Sequence, residues 1–402
     1  MKKCVLLALV LLMCGATLSG QVTITLPKNQ NSFIVAPAAK GDTYLQLPIT
    51  QLNRFWESET GNAENVLNNK DPWVAEIIWQ DFDIKGVGKV LTITKGKGTG
   101  PDEFIGLTLK NYPKDQWGNA VVGVKRADAG GQPTGEYLWS WHIWVTDFTP
   151  DKAVTYPSGV VGMDRNLGAK DKTPGSVGSF GLLYQWGRKD PFPGAAKLTG
   201  NKRVATSLDL WPVEEPETGG NFAFAVQHPT TFIKTILESS SVVVHNGGKK
   251  NNYGDWMVTP NRTATWHNDA KSVHDPCPKG WRVPVAIVID DKKTSPWADL
   301  GYDTTMAYDA DNKGALYGGK DWWPMPGRLN ETGQLDRVGE RMYGLSSVPS
   351  TIKDKKTEFV KQMVRIILIR PEKAGIQLWN TEAIARGDAG SVRCTRCEED
   401  DN

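Results

Sequence analysis

The sequence has little net charge, and after its first residues it contains no long apolar segment. The formal net charge of the 402 residues is +2, from 47 basic and 45 acidic side chains. A chain so balanced lacks the general attraction to phosphate on which nucleic-acid binding depends, so nucleic acid is not an expected partner. No later apolar run reaches the roughly 20 residues that a membrane-spanning helix needs.

Recognisable catalytic motifs are also lacking. None of the five histidines stands in a nucleophile motif, and no G-x-S-x-G sequence occurs. A zinc site needs about four ligands in closely spaced pairs, and only Cys394 and Cys397 form such a pair. A glycosidase, whose two carboxylates can lie far apart in the sequence, stays open. We expect no enzyme activity, no metal and no other cofactor.

The first 20 residues have the layout of a secretory signal peptide. Lys2 and Lys3 precede an apolar run, and small residues follow it. We expect cleavage near Gly20–Gln21. Lipid attachment at Cys14 is the alternative, although Met13 is larger than the residue that usually precedes a lipidated cysteine. Without the two lysines the formal charge of the mature chain is zero. Export to the cell surface or the extracellular space is expected, with the outer membrane reached only through such a lipid.

Short apolar and aromatic runs separated by Gly, Pro and Asn fill residues 22–150 and are typical of an all-β sandwich. In the last run, Trp139 and Trp141 would share one face of a strand. His142 would lie on the opposite face, where we expect a structural role. The predicted strands cover residues 73–79, 87–94, 120–125 and 137–146.

Beyond the turn-prone residues 149–152 we expect fewer strands and longer loops. The best helix candidate runs from Phe180 to Lys189, with Ser179 as its N-cap and Pro191 beyond its end. A nearly apolar strand over residues 363–370 should be central in a sheet. The last strand is expected over residues 390–395, ahead of an acidic tail.

Cysteine is scarce in the mature chain. Cys277, Cys394 and Cys397 remain after the predicted signal peptide. An exported protein can keep disulfides, and three cysteines allow one bridge with one residue left over. The spacing alone does not say which two are joined.

Four short motifs of the sequence resemble those of a known family. They are MDRNLGA (163–169), GLLYQWGRKDPFP (181–193), DPCPKGWRVP (275–284) and SVRC (391–394). In this order they resemble the Fibrobacter succinogenes major paralogous domain, found in surface proteins and fimbrillin-like chains of Bacteroidetes. The words NSFIV, GNAVV and LWSWHIW of the first half resemble, more loosely, a β-sandwich that often precedes that domain. One departure is Leu345, which stands where members often carry Trp.

The resemblance implies a fold and a disulfide. The family domain is similar to the C-type-lectin-like fold, also used by formylglycine-generating enzymes. In such domains the chain ends meet, and the implied bridge joins Cys277 and Cys394. We therefore predict a mainly β or α+β chain, in which an N-terminal Ig-like β-sandwich precedes a C-type-lectin-like α+β domain. The predicted segments are a signal peptide (1–20), the sandwich (22–150), the second domain (155–397) and an acidic tail (398–402).

Adjacent tryptophans supply the candidate binding residues. Trp322 and Trp323 would point to opposite sides of an extended chain. One ring could then be exposed, with Arg328 nearby, and stack on a sugar or anchor a partner. Equally, both rings could pack inside. Trp256 is a further candidate for an exposed ring.

These features predict a non-catalytic cell-surface binding or assembly protein, such as a fimbrial accessory subunit or an adhesin. Its expected partners are other surface or fimbrial proteins, or glycans. The alternative is a carbohydrate-binding module for glycan capture. An enzyme, either a thiol oxidoreductase or a protein like the formylglycine-generating enzymes, is less favoured. The Cys394/Cys397 pair ends the last strand, whereas reactive C-x-x-C pairs usually open a helix.

Overall fold

A computed structural model gives the arrangement of most of the chain. The predicted signal peptide, Cys14 and the acidic tail lie outside the residues it describes. Within the described residues, no helix has the length and apolar character needed to cross a membrane. The described residues are 22–39, 41–58, 63–82, 90–110, 112, 116–237, 244–245, 248–249, 253–258, 266, 271–285, 306–353, 360–372, 375–379 and 383–397.

The chain is mainly β, with 41% strand and 9% helix, as predicted. In the first unit, residues 22–145, the described part contains one α-helix, α1 (Gln51–Ser58), and a 3-10 turn (Ala63–Asn65). Its strands are β1 (Val22–Thr25), β2 (Ser32–Val35), β3 (Thr43–Pro48), β4 (Pro72–Gln80), β5 (Leu91–Lys95), β6 (Lys97–Thr99), β7 (Phe104–Leu109), β8 (Gly118–Ala127) and β9 (Pro133–Val145).

These strands form two sheets packed face to face. The outer sheet has the order β1-β3-β7-β5, and the inner sheet has the order β2-β9-β8-β4-β6. Leu45 and Leu107 of the outer sheet share one core with Trp139 and Trp141 of the inner sheet. Three predicted strands are confirmed with longer bounds, as β4, β8 and β9. The strand predicted over 87–94 begins instead at Leu91, and residues 83–89 lie outside the described part.

The second unit, residues 154–396, is built mostly from strands of two to five residues, more of them than expected. They are β10 (Val154–Thr155), β11 (Val161–Gly162), β12 (Leu183–Gln185), β13 (Val213–Glu214), β14 (Phe232–Ile233), β15 (Val244–His245), β16 (Gly248–Lys249), β17 (Trp281–Arg282), β18 (Ala307–Asp309), β19 (Gly314–Tyr317), β20 (Asp321–Pro324), β21 (Arg328–Leu329), β22 (Leu335–Asp336), β23 (Met342–Lys353), β24 (Val360–Glu372), β25 (Gly375–Trp379), β26 (Ala383–Ala385), β27 (Ala389–Ser391) and β28 (Thr395–Arg396). Short helices are α2 (Pro216–Gly219), α3 (Phe222–Gln227) and 3-10 turns at Pro150–Lys152 and Val177–Ser179.

The largest sheet of this unit follows the order β22-β21-β27-β23-β24-β25, with β12 on β27 and β26 on β24. The predicted central strand is confirmed as β24, which has β23 on one side and β25 and β26 on the other. The predicted last strand is divided, because β27 and β28 belong to different sheets.

The helix predicted over Phe180–Lys189 is wrong. Residues 183–185 form β12, which pairs with β27. Gly181 and Gly187 flank this strand with φ values of +73° and +84°, a left-handed backbone that no α-helix contains. The N-cap predicted at Ser179 belongs instead to Ser176, which caps the 3-10 turn before it.

The two ends of the second unit meet. Gly162 of β11 pairs with Thr395 of β28, and β17 pairs with β28 on its other side. Next to this sheet, Cys277 and Cys394 are joined by a disulfide, as the family resemblance implied. Both cysteines are buried in the hydrophobic core of the second unit.

Strand β9 of the inner sheet is buried on both faces from Leu138 to Val145. The prediction for β9 is confirmed: Trp139 and Trp141 face the sandwich core, while Trp144 faces the core of the second unit. The indole of Trp144 donates to the carbonyl oxygen of Ala169 at 3.0 Å. The units are therefore packed together along the buried part of β9, residues 138–145.

A buried ionic cluster lies in this junction. The ammonium group of Lys189 is 2.7 Å from a carboxylate oxygen of Asp190, and both groups contact the hydroxyl of Ser140 on β9. All three residues are almost completely buried. The ammonium also lies 4.5 Å from the ring centre of Trp139. Burial lowers the pKa of Lys189, although Asp190 opposes the shift.

We predict that Lys189→Met destabilises the protein by about 3–5 kcal/mol, because it leaves the carboxylate of Asp190 buried without its cation. Urea unfolding monitored by tryptophan fluorescence measures the loss. The matched control is Lys172→Met, since Lys172 pairs with Asp164 at 3.1 Å but is 53% exposed. It should cost less than about 1 kcal/mol. Equal losses in the two variants would contradict a special role for the buried pair.

A second prediction concerns the disulfide, which closes a loop of 117 residues. Replacing both Cys277 and Cys394 by alanine should lower the free energy of unfolding by about 4–5 kcal/mol, since the unfolded chain regains the entropy of an open loop. Cys397→Ala is the control and should leave the stability within about 0.5 kcal/mol. An unchanged unfolding midpoint in the double variant would refute this stabilisation.

Candidate binding cleft

The structure places the Trp322–Trp323 pair in the interior. The two residues are 3% and 1% exposed, although they lie on opposite faces of β20. The indole of Trp322 donates to the hydroxyl of Ser179 at 3.2 Å. Of the two interpretations that the sequence left open, burial of both rings is the one observed. Neither ring is available to stack on a ligand.

A buried ion pair explains why this segment turns inward. Arg393 contacts a carboxylate oxygen of Asp321 at 2.9 Å, and its guanidinium group stacks 3.8 Å from the ring centre of Trp323. Tyr156 and the Trp323 indole donate to the other oxygen of Asp321. The sequence around the two tryptophans therefore serves folding.

Trp256 is also fully buried. Its indole donates to the carbonyl oxygen of Trp186 at 2.9 Å, and its ring meets Phe222 edge to face. The expectation of an exposed ring at this position is wrong, because the ring fills the core that the sandwich shares with helix α3.

Arg328, the remaining candidate, is partly exposed at the start of β21. One guanidinium nitrogen lies 2.6 Å from Asp388, and another lies 3.3 Å from Asp336. The side chain lines a small cavity of 360 Å³ at the edge of the large sheet. None of the three tryptophans lines this cavity, so the predicted residues do not form one site.

The Cys394/Cys397 pair is divided in the structure. Cys394 is bonded to Cys277 and buried, while Cys397 lies in the strand extension beside Gly280 and keeps its thiol. The arrangement is that of a structural bridge, without a bond between the two cysteines of the motif.

A cleft of 720 Å³ lies between the two units, and we call it the interdomain cleft. Asp81 and Phe82 after β4 and Gln116 and Trp117 before β8 form its wall on the first unit. Lys170 lies on the opposite wall. The second unit also contributes Gly168, Asp171, Val177, Gly178, Gly181, Leu182, Pro193 and Gly194.

Two aromatic side chains of the cleft are partly exposed. Phe82 and Trp117 each pack one side against the sandwich core and line the cleft with the other. A β-carbon at Gly118 would lie 2.3 Å from the ring of Phe82, so this position requires glycine to admit the ring. The cleft thus offers apolar ring faces beside polar groups.

The polar floor of the cleft is held by a chain of hydrogen bonds. The carboxylate of Asp81 accepts from the backbone and side-chain amides of Asn119 at 2.6 Å and 3.2 Å. Lys170 donates to the carbonyl oxygen of Asp81 at 2.6 Å and lies 3.4 Å from its carboxylate. This bonding crosses from one unit to the other and fixes the separation of the two walls.

Behind the floor, the chain continues to His142. Because the amide nitrogen of Asn119 donates to Asp81 and to the Gly168 carbonyl, its oxygen must accept from Nε2 of His142, 2.9 Å away. Nδ1 of His142 then accepts from the hydroxyl of Ser32 at 3.1 Å. Ser32 and His142 are both buried, in agreement with a structural histidine.

One wall of the cleft has an acceptor that the described structure leaves unused. Oε1 of Gln116 is buried and has no hydrogen-bond partner there. A buried acceptor without a partner costs free energy, so a ligand that donates to it would gain affinity.

Comparison with protein-family models, with curated proteins and with solved structures found no match for the chain. The family resemblance of the four sequence words therefore stays a prediction.

The buried His142 generates a prediction about acid stability. Burial lowers its pKa to about 3, against about 6.5 in an unfolded chain. The contribution of His142 to the free energy of unfolding is complete above about pH 6.5. It is lost as the pH falls toward about 3, because the unfolded state takes up the proton first. Between pH 6.5 and 5 the wild type should lose about 2 kcal/mol from this group.

His142→Gln should remove that part of the pH dependence, and urea unfolding at several pH values measures it. The control is His228→Gln. His228 is only half-buried, and Glu136 opposes the lowering of its pKa, so its effect should be smaller. The same pH dependence in the wild type and in His142→Gln would show that His142 is not held neutral.

Proposed function

We propose that the chain is a non-catalytic, exported binding protein of the cell surface, and that the interdomain cleft binds a short, uncharged glycan. The observation that carries the proposal is the pairing of two partly exposed aromatic rings, Phe82 and Trp117, with polar groups in a 720 Å³ cleft. Concave sites that combine apolar walls with a few placed polar groups are typical of small-ligand binding.

The charges of the cleft support an uncharged ligand. Asp81 is already bonded to Asn119 and Lys170. Asp171 accepts from the hydroxyl of Ser176 at 2.6 Å and from the backbone amide of Thr173 at 2.9 Å. Since both carboxylates have partners, no strong single-sign field attracts an ion. Sugar hydroxyls could donate to Gln116 while the C–H face of the ring stacks on Trp117.

Export is supported by two separate features. The first residues have the layout of a signal peptide. The Cys277–Cys394 disulfide is compatible with an oxidising compartment. The cysteines also favour a binding function over redox chemistry. Cys394 is buried and bonded to Cys277, so it has no thiol to react.

The test is a glycan array probed with the labelled protein, followed by calorimetric titration of the best ligand. We predict that Trp117→Ala weakens binding at least about tenfold, equal to about 1.4 kcal/mol, because the stacking surface is lost. The matched control is Phe104→Ala, a partly buried ring of β7 that lies under Lys95 and does not line the cleft. Its affinity should equal that of the wild type.

Two results would overturn the proposal. One is an array on which no glycan retains the wild-type protein. The other is a bound glycan whose affinity is the same for Trp117→Ala and the wild type, because such a ligand would lie outside the cleft.

A further inference from the structure

The small cavity beside Arg328 contains polar atoms that lack partners. It measures 360 Å³ and lies where β21, β24 and β26 approach the turn before β27. Asp388 and Thr235 line it and are only 3% and 4% exposed. Oδ2 of Asp388 accepts from Arg328 at 2.6 Å, but its Oδ1 and the hydroxyl of Thr235 have no hydrogen-bond partner in the described structure.

Oδ1 of Asp388 and the hydroxyl of Thr235 could both accept a hydrogen bond from a ligand. Arg328 makes no hydrogen bond to Oδ1 of Asp388, and its other nitrogens are directed to Asp336 at 3.3 Å and 3.4 Å. Glu331 also lines the cavity and acts on Asp388 as a second negative charge. A buried carboxylate oxygen and a buried hydroxyl, next to a further carboxylate, match a cation that carries several N–H donors.

Apart from Lys361 and Tyr253, the remaining walls are apolar. Met363 and Ile384 are buried, and Leu237 stands 44% exposed at the rim. A ligand that passes from the rim to Asp388 therefore crosses hydrocarbon before it reaches the carboxylate. A flexible methylene stem with a terminal charge suits such a path.

We propose that this cavity binds a lysine side chain of a partner protein. The ε-ammonium group would donate to Oδ1 of Asp388 and to the hydroxyl of Thr235, and the methylene stem would lie against Met363 and Ile384. The site is separate from the interdomain cleft and does not depend on a glycan ligand.

Lys361 is a positively charged residue of the same cavity, and its effect on binding should be opposite to that of Asp388. Its ammonium group lies over the ring of Tyr253, 5.1 Å from the ring centre. It is a like charge for an incoming lysine. Removing it should strengthen binding, whereas removing the charge of Asp388 should weaken it.

The experiment is calorimetric titration of the folded protein with Nα-acetyl-lysine methylamide, with Nα-acetyl-norleucine methylamide as the probe that keeps the stem and lacks the ammonium group. We expect a dissociation constant of about 1 mM for the lysine probe and no measurable binding of the norleucine probe. Asp388→Asn should weaken binding at least about tenfold, and Lys361→Met should strengthen it about threefold.

Thr235→Val tests the site without altering a charge, and should weaken binding about fivefold. Dependence on pH gives a further readout. Burial and the neighbouring Glu331 and Asp336 raise the pKa of Asp388 to about 6, against the opposing charges of Arg328 and Lys361. Because the ammonium group binds the ionised carboxylate, affinity should fall about tenfold between pH 7 and pH 5.

Three results would overturn the proposal. The first is equal affinity for the lysine and norleucine probes. The second is unchanged binding of the lysine probe in both Asp388→Asn and Thr235→Val. The third is the absence of saturation at about 50 mM probe.

Discussion

The structure depends on one strand, β9, which is buried on both faces over residues 138–145. The sandwich core covers Trp139 and Trp141 of β9, and the second unit covers Ser140 and Trp144. In an antiparallel sheet, the face that carries polar side chains would normally be exposed to water. Here the polar side chains are satisfied by groups of the second unit or by partners within the sheet. The first unit therefore shares part of its inner sheet with the interior of the second, since Trp79, Val121 and Trp144 belong to one core with residues of that unit.

This burial determines where a ligand could bind. The same contacts that cover β9 bring Asp81 of the first unit to Lys170 of the second, and Asn119 to the Gly168 carbonyl. The walls of the interdomain cleft are held at a fixed separation by bonds that also support the fold. A cleft of this kind is largely formed before the ligand arrives, so less ordering entropy opposes binding. It also means that changes to its floor will affect stability and binding together, whereas Trp117 at its mouth can be changed with less effect on the fold.

Alternation of apolar residues was enough to predict β4, β8 and the two faces of β9, because a strand with one core face has a period that the sequence displays directly. The segment 180–189 has apolar residues at helical spacing too, but Gly181 and Gly187 adopt left-handed backbone, and pairing with β27 outweighs the local pattern. That pairing joins residues about 200 positions apart, so no local window contains it. The disulfide came from the resemblance alone, since three cysteines are compatible with more than one bridge.

The candidate binding residues also could not be assigned correctly from the local sequence. Two adjacent tryptophans attract attention in a sequence, yet burial of an indole is favourable wherever its N–H finds an acceptor, as with Trp323 and Asp321. The number of tryptophans therefore says little about binding. The residues of the cleft come from short segments around positions 81, 117 and 170, each with an ordinary composition, and their proximity arises only when the two units pack. A ligand site of this kind exists because separate segments pack together. A single sequence, without aligned relatives, does not show which segments are close in space.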